Sequence, residues 1–337
     1  MSHANILNQA IDRDSIPSGE YHGERGTSFW RTVRLPGLRM LMSKTNMTLA
    51  GLFFLAIWPP QQMRATVPEY PIVFYSGRGD NKDVYILHPG DTEPRNLTNH
   101  PAQDICPAAA PDGKRIAFLS DRGGNMDIFS MKVDGSDVRQ LTSTSENEEH
   151  PEFIPDGKRI LFVRDFEKRT EIWIMDPDGT KPQRLTSNDS RDERPFMSPD
   201  GSKIVFMSNR DGNYEIYVMA ADGSGQTRIT NTPEWEIFPA WSPDGREIAY
   251  SQKFRADGRM QGMIRVMNAD GSNDRAITAV ETRDENAMWS PDGRSIVFQS
   301  VRDGNFEVYR VNRDGSDPVR LTHDPAWDGW AAFVPGK

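Results

Sequence analysis

The chain has 337 residues, 36% apolar and 26% charged, enough apolar content to bury a core over most of its length. Its net charge is −9, with +3 in residues 1–65 and −12 in the rest, and an acidic body of this kind lacks the clustered Lys/Arg that nucleic-acid phosphates demand. The single cysteine, Cys106, excludes an internal disulfide and a cysteine-based metal site, and reads as a small buried hydrophobe.

In chain order, residues 1–65 form an N-terminal extension. Arg31, Arg34, Arg39 and Lys44 precede an apolar run over residues 47–58. Twelve residues fall short of the ~20 that a membrane-spanning helix needs. Basic residues followed by a short apolar core are instead the pattern of a secretory signal. Pro59 and Pro60 stop any helix there, and Ala65 supplies a small residue for cleavage. The expected location is periplasmic or secreted, with membrane contact only through this segment if it stays uncleaved.

Repetition governs the remainder, residues 71–337. The turn Pro-Asp-Gly begins at Pro111, Pro155, Pro199, Pro243 and Pro291, with spacings of 44, 44, 44 and 48. A Leu/Ile-Thr pair begins at Leu97, Leu141, Leu185, Ile229, Ile277 and Leu321, so there are six units. Each reads as four short strands. In the fourth unit these are residues 196–198, 203–208, 215–219 and 228–230, separated by Pro-Asp-Gly and Asp-Gly hairpin signals. The 48-residue interval predicts a longer loop around residues 255–259 in the fifth unit. Four-stranded units of this length are propeller blades. The first unit begins at its second strand, residues 72–75, and the missing first strand appears at residues 330–334. The fold class is therefore all-β: a six-bladed β-propeller whose C-terminal strand joins blade 1 and leaves no radial edge unpaired.

The segment from Ser198 to Met219, SPDGSKIVFMSNRDGNYEIYVM, resembles the repeat of TolB and its relatives. The resemblance spans residues 71–337. TolB carries a small α/β domain ahead of its propeller, for which no room is expected between the export segment and Ile72. What the resemblance implies is a non-enzymatic scaffold for envelope protein interactions, with an envelope protein or peptide as partner. Related propellers occur in prolyl-oligopeptidase-like peptidases and some polysaccharide lyases, so the alternative is an enzyme, lyase or hydrolase, working at the same channel mouth. The sequence holds no Gly-x-Ser-x-Gly, His-Glu-x-x-His or Walker-type motif, and no catalytic residue is assigned.

The candidate binding residues come from one repeated position. Asp104, Glu148, Asp192, Glu236, Asp284 and Asp328 lie just before the predicted innermost strands, and Glu149, Glu193 and Glu285 stand beside three of them. These carboxylates are expected as a ring near the mouth of the central channel, on the face formed by the blade links. Two like charges ~10 Å apart repel by about 1.7 kcal/mol at an effective dielectric of 20, so the ring needs compensation. Arg78, Arg122, Arg164, Arg210 and Arg302 are the expected partners, with Lys253 or Arg255 serving Glu236, whereas Glu149, Glu193 and Glu285 have no evident arginine. Two readings follow: intrablade acid–base pairs that fix the loops, or a site for a cation such as Ca²⁺ or a basic peptide. Trp235 and Trp327, next to ring acids, add aromatic surface of the kind used in peptide or sugar recognition.

Overall fold

The computed structural model describes residues 70–336, except 80, 257 and 281. These form six four-stranded antiparallel sheets, and the C-terminal strand Asp328–Phe333 pairs with Ile72–Ser76 in blade 1. The propeller and its closure are as expected. Blade 4 is typical, with Asp192–Met197 innermost, then Lys203–Ser208, Glu215–Ala220 and the two-residue Thr227–Arg228 outermost.

Two details differ from the sequence reading. The innermost strands start earlier, so every ring acid is a strand residue rather than a link residue. Their ranges are Asp104–Ala109, Asn147–Phe153, Asp192–Met197, Trp235–Trp241, Asp284–Trp289 and Asp328–Phe333. Strand propensity alone does not favour acids, but here each acid lies across from a hydrogen-bonding residue of the second strand. In blade 5 the extra residues lengthen the hairpin rather than adding a loop, giving Glu247–Ala256 and Arg259–Asn268. Residues 253–256 continue the ladder to 259–262 without a break.

The core lies between blades and repeats with them. Phe74, Phe118, Phe162, Phe206, Tyr250 and Phe298 occupy one place in the second strand and are fully buried. Phe153, Trp241, Trp289 and Phe333, at one place in the first strand, are buried as well.

Neighbouring blades also interlock through the backbone. Gly135, Gly179, Gly223, Gly271 and Gly315 turn the outer hairpins with φ of +86 to +88°. A Cβ on any of them would overlap the carbonyl oxygen of Leu97, Leu141, Leu185, Ile229 or Ile277 in the preceding blade. The two repeated markers, Asp-Gly and Leu/Ile-Thr, are thus the two halves of one contact. Glycine is required twice over, by the left-handed φ and by the close approach.

Candidate functional site

The channel has three levels, set by position along the innermost strands. At the link end lie the six ring acids, all with 0% exposure. Five take the arginines expected of them. Arg122 Nη2 donates to both oxygens of Asp104 at 2.9 and 2.8 Å. Arg210 reaches Asp192 at 2.7 Å, Arg302 reaches Asp284 at 2.9 Å, and Arg78 reaches Asp328 at 2.5 Å. In blade 3, Arg164 Nε meets Glu148 at 3.0 Å. Each guanidinium lies over two aromatic rings of its own blade, as Arg122 does over Phe118 and Phe129.

Glu236 is the exception. Its partners are Thr232 Oγ1 at 2.6 Å and Gln252 Nε2 at 2.9 Å, neither of them charged. Burial pushes its carboxyl up to about 7. Lys253, one of the two expected partners, turns instead to Glu285 at 2.8 Å, where Arg283 also arrives at 2.7 Å. Burial would raise the Glu285 carboxyl, but these two cations outweigh it and hold it below the usual range. Glu193 likewise has Arg191 at 2.6 Å. The expectation that Glu193 and Glu285 lack basic partners is therefore corrected. Both are served by an arginine two residues earlier on the same chain, a spacing at which strand side chains share a face. Glu149 has no such donor. His150 Nδ1 is 3.8 Å from it, and burial, then Glu193 and Asp165, push its carboxyl up to about 8.

The aromatic candidates differ. Trp235 is 42% exposed and edge-on to Tyr214. Trp327 is half-buried between Tyr75 and Phe306, with the Lys82 ammonium over its ring. Among the described residues no group of three or more His, Cys, Asp or Glu is arranged to hold a metal ion.

The middle level is a ring that the sequence reading did not assemble, although Trp330, Phe238 and His150 stand out individually as aromatic or metal-ligand candidates. Two positions after each ring acid come Cys106, His150, Arg194, Phe238, Asn286 and Trp330, all with φ between +52 and +59°. A β-bulge interrupts the innermost pairing there in every blade. Six non-glycine residues in the left-handed region, at roughly 1–3 kcal/mol each, persist only where the surroundings fix them. Several of their side chains meet across the channel. His150 stacks on Trp330 with centroids 5.4 Å apart, and the Arg194 guanidinium lies 4.5 Å from the Trp330 centroid and 5.0 Å from that of Phe238. The signal that could have found this ring is the 44-residue period itself, reinforced by the proline that follows in four of the six blades.

The third level opens on the Pro-Asp-Gly face. Pro111, Pro155, Pro199, Pro243, Pro291 and Pro335 ring a cavity of about 420 Å³. A cavity of about 40 Å³ lies against the middle level. Glu152, Phe196, Met288 and Ala332 line both. No ring acid lines either.

The sequence matches the TolB beta propeller domain over residues 69–170, 147–263 and 233–335. The chain belongs to the TolB β-propeller domain family. Among solved structures, TolB from Acinetobacter baumannii is 23% identical, with a TM-score of 0.68, covering 79% of this chain and 67% of that one. A putative TolB from Agrobacterium tumefaciens is 22% identical, with a TM-score of 0.61, covering 77% of this chain and 90% of that one. Oligogalacturonate lyase from Vibrio parahaemolyticus is 17% identical, with a TM-score of 0.52 and coverages of 75% and 72%. At these identities the likeness is one of fold alone. No curated protein matches the sequence. The TolB-type repeat expected from residues 198–219 is thus present across the propeller, while the export segment lies outside the described residues.

Proposed function

We propose that the chain is an exported, non-enzymatic binding propeller that holds an envelope protein or peptide against its link face. The observation that carries this reading is Trp235. It is the one aromatic among the exposed large apolar side chains of the described residues, at 42% exposure, and it opens the innermost strand of blade 5. An aromatic anchor on a rigid strand end is the usual centre of a protein-recognition patch. Membership of the TolB family supports a scaffold role, and the basic-then-apolar order of residues 31–58 supports export. The buried ring acids fix the innermost strands that present this face, and recognition falls to the rim. A basic segment remains the favoured partner chemistry, because the body carries −12 and attracts cations over its surface.

A photo-crosslinking residue at position 235, compared with one at Lys158, a Pro-Asp-Gly turn residue on the opposite face, tests the docking. In envelope extract a discrete adduct is expected from 235 and not from 158. Equal or absent adducts overturn it. For export, a C-terminally tagged full-length chain is expected outside the cytoplasm and shortened near Ala65. Recovery in the cytoplasm at full length overturns that part.

A further inference from the structure

The middle of the channel contains a cation that no acid pairs with among the described residues. Arg194 lines the inner cavity, and among the described residues its guanidinium makes one side-chain hydrogen bond, to Asn286 Oδ1, and no ion pair. Trp330 and Phe238 hold the guanidinium in place by its faces. Burial lowers its pKa only to about 10, so it is charged at neutral pH. Of its neighbours in the cavity, only the Glu152 carboxyl could offset that charge. Burial lifts Glu152 to about 8 and the Cys106 thiol to about 12, and holds His150 well below its usual value. A half-buried guanidinium with donors to spare and no ion-pair partner carries a desolvation cost that an anion would offset.

The outer cavity defines the rest of the ligand. Its volume of about 420 Å³ lies within the ~300–1,000 Å³ typical of small-molecule sites. Apart from Glu152, every side chain lining it is apolar, among them Phe153, Trp241, Trp289 and Phe333. The six prolines around it offer no backbone N–H. A peptide laid there would find few N–H donors for its carbonyls, whereas an alkyl or aryl body needs none. Because Glu152, Phe196, Met288 and Ala332 line both cavities, the apolar funnel leads directly to Arg194.

We propose that the Pro-Asp-Gly end of the channel binds a small amphiphilic monocarboxylate, with its head group on Arg194 and Asn286 and its apolar body in the funnel. A guanidinium edge pairs with a carboxylate through two parallel N–H···O bonds. The inner cavity, at about 40 Å³, admits a head group of a few atoms and not a bulky one. A dianion such as phosphate would need a second cation, and Arg194 is the only Lys or Arg lining either cavity. This site is at the opposite end of the channel from the docking face proposed above and stands or falls separately.

Calorimetry on the full-length protein at neutral pH, with octanoate, octanol and octylamine as probes, tests it. Octanoate is expected to bind at least about tenfold more tightly than octanol, and octylamine least. Arg194→Met is expected to bring octanoate down to the level of octanol while leaving octanol itself little changed. Should that variant fail to fold, Asn286→Asp sets a carboxylate against Arg194 in place of the ligand. It should keep the parent's melting temperature or raise it, and weaken octanoate at least about tenfold. Equal binding of octanoate and octanol by the parent overturns the proposal. So does no binding of any probe, a preference for octanoate that survives the variants that fold, or tighter binding of a leucine-terminated peptide than of octanoate.

Discussion

A carboxylate buried at the head of a strand needs a donor, and the length of its side chain decides where that donor sits. The four aspartates, Asp104, Asp192, Asp284 and Asp328, lie across the ladder from Ser120, Ser208, Ser300 and Ser76. The small serine leaves room for an arginine two residues further on, whose Nε donates to the serine and whose Nη2 donates to the aspartate. The two glutamates, one methylene longer, meet the opposite residue directly, Arg164 or Gln252. Asp192→Asn with Glu193→Gln would leave Arg210 without its buried acid and Arg191 with only the more distant Asp165, at 3.5 Å. The expected loss is about 3 kcal/mol of stability, read from the denaturant midpoint. A parent-like midpoint would show that these pairs do not hold the blade. A second expectation concerns pH. Glu149 and Glu152 are raised to about 8 and Glu236 to about 7, from an ordinary 4.5. The unfolded chain releases these protons first, so their stabilising effect is complete below 4.5 and is lost as pH rises through about 7 to 8. Each should contribute at least about 1 kcal/mol to the fall, and the three glutamine variants should flatten it. A denaturant midpoint that rises over that range in the parent would contradict the assignment. At this scale the six acids and five of their arginines were legible, because both recur with the blade. Burial was not, because the apolar run marks only the inner part of each innermost strand. Lys253 could not be assigned either, since its choice of Glu285 depends on the neighbouring blade.

Blade-to-blade contact rests on elements that each look local. The outer-hairpin glycine of one blade abuts the Leu/Ile carbonyl of the blade before it at five junctions, but Gly90 of blade 1 has nothing within 4 Å of its would-be Cβ. The sixth junction therefore lacks the interlock. Gly90→Ala and Gly223→Ala share the penalty of a positive φ, +91° and +88°, which is about 1 kcal/mol. Gly223→Ala must also push back the Leu185 carbonyl. Its total cost should exceed that of Gly90→Ala by about 1–2 kcal/mol, measurable as a difference in thermal midpoint between the two variants. Equal costs would mean that the junctions yield freely. Second and third strands were legible nearly to the residue, because β-branched and aromatic runs between turn signals fix both ends. The blade 5 hairpin was not, because its Arg- and Gly-containing tip reads as a loop while residues 253–256 in fact stay paired. The left-handed ring from Cys106 to Trp330 carried no propensity signal at all. Its residues share a position and a backbone conformation but no chemistry.

Over the whole molecule, the junction without the glycine interlock is also where the chain closes on itself. Ile72 pairs with Phe333 and Ser76 with Asp328, Val334 N donates to the Pro71 carbonyl at 2.8 Å, and Arg78 holds Asp328. Closure was legible because the first repeat begins one strand late and the last residues supply that strand. Its consequence for the channel was not, since Trp330 also plugs the centre, stacked on His150 and Arg194. Removing residues 329–337 would strip the inner strand from blade 1, expose the backbone edge of Ile72–Ser76 and unseat the plug. The buried Ala331, Phe333 and Val334 go with it. Loss of one buried Phe already costs about 3–5 kcal/mol, against a total stability on the order of 5–15 kcal/mol, so the truncated ring should be unfolded or marginal at 25 °C. Any folded fraction should self-associate, because the freed edge is a template for another chain. A synthetic peptide of residues 328–337 supplied in trans should restore the monomer and raise the melting temperature in proportion to its concentration. If the truncated chain melts as the parent does and remains monomeric without the peptide, the six blades hold together by packing alone and the C-terminal strand is not the clasp.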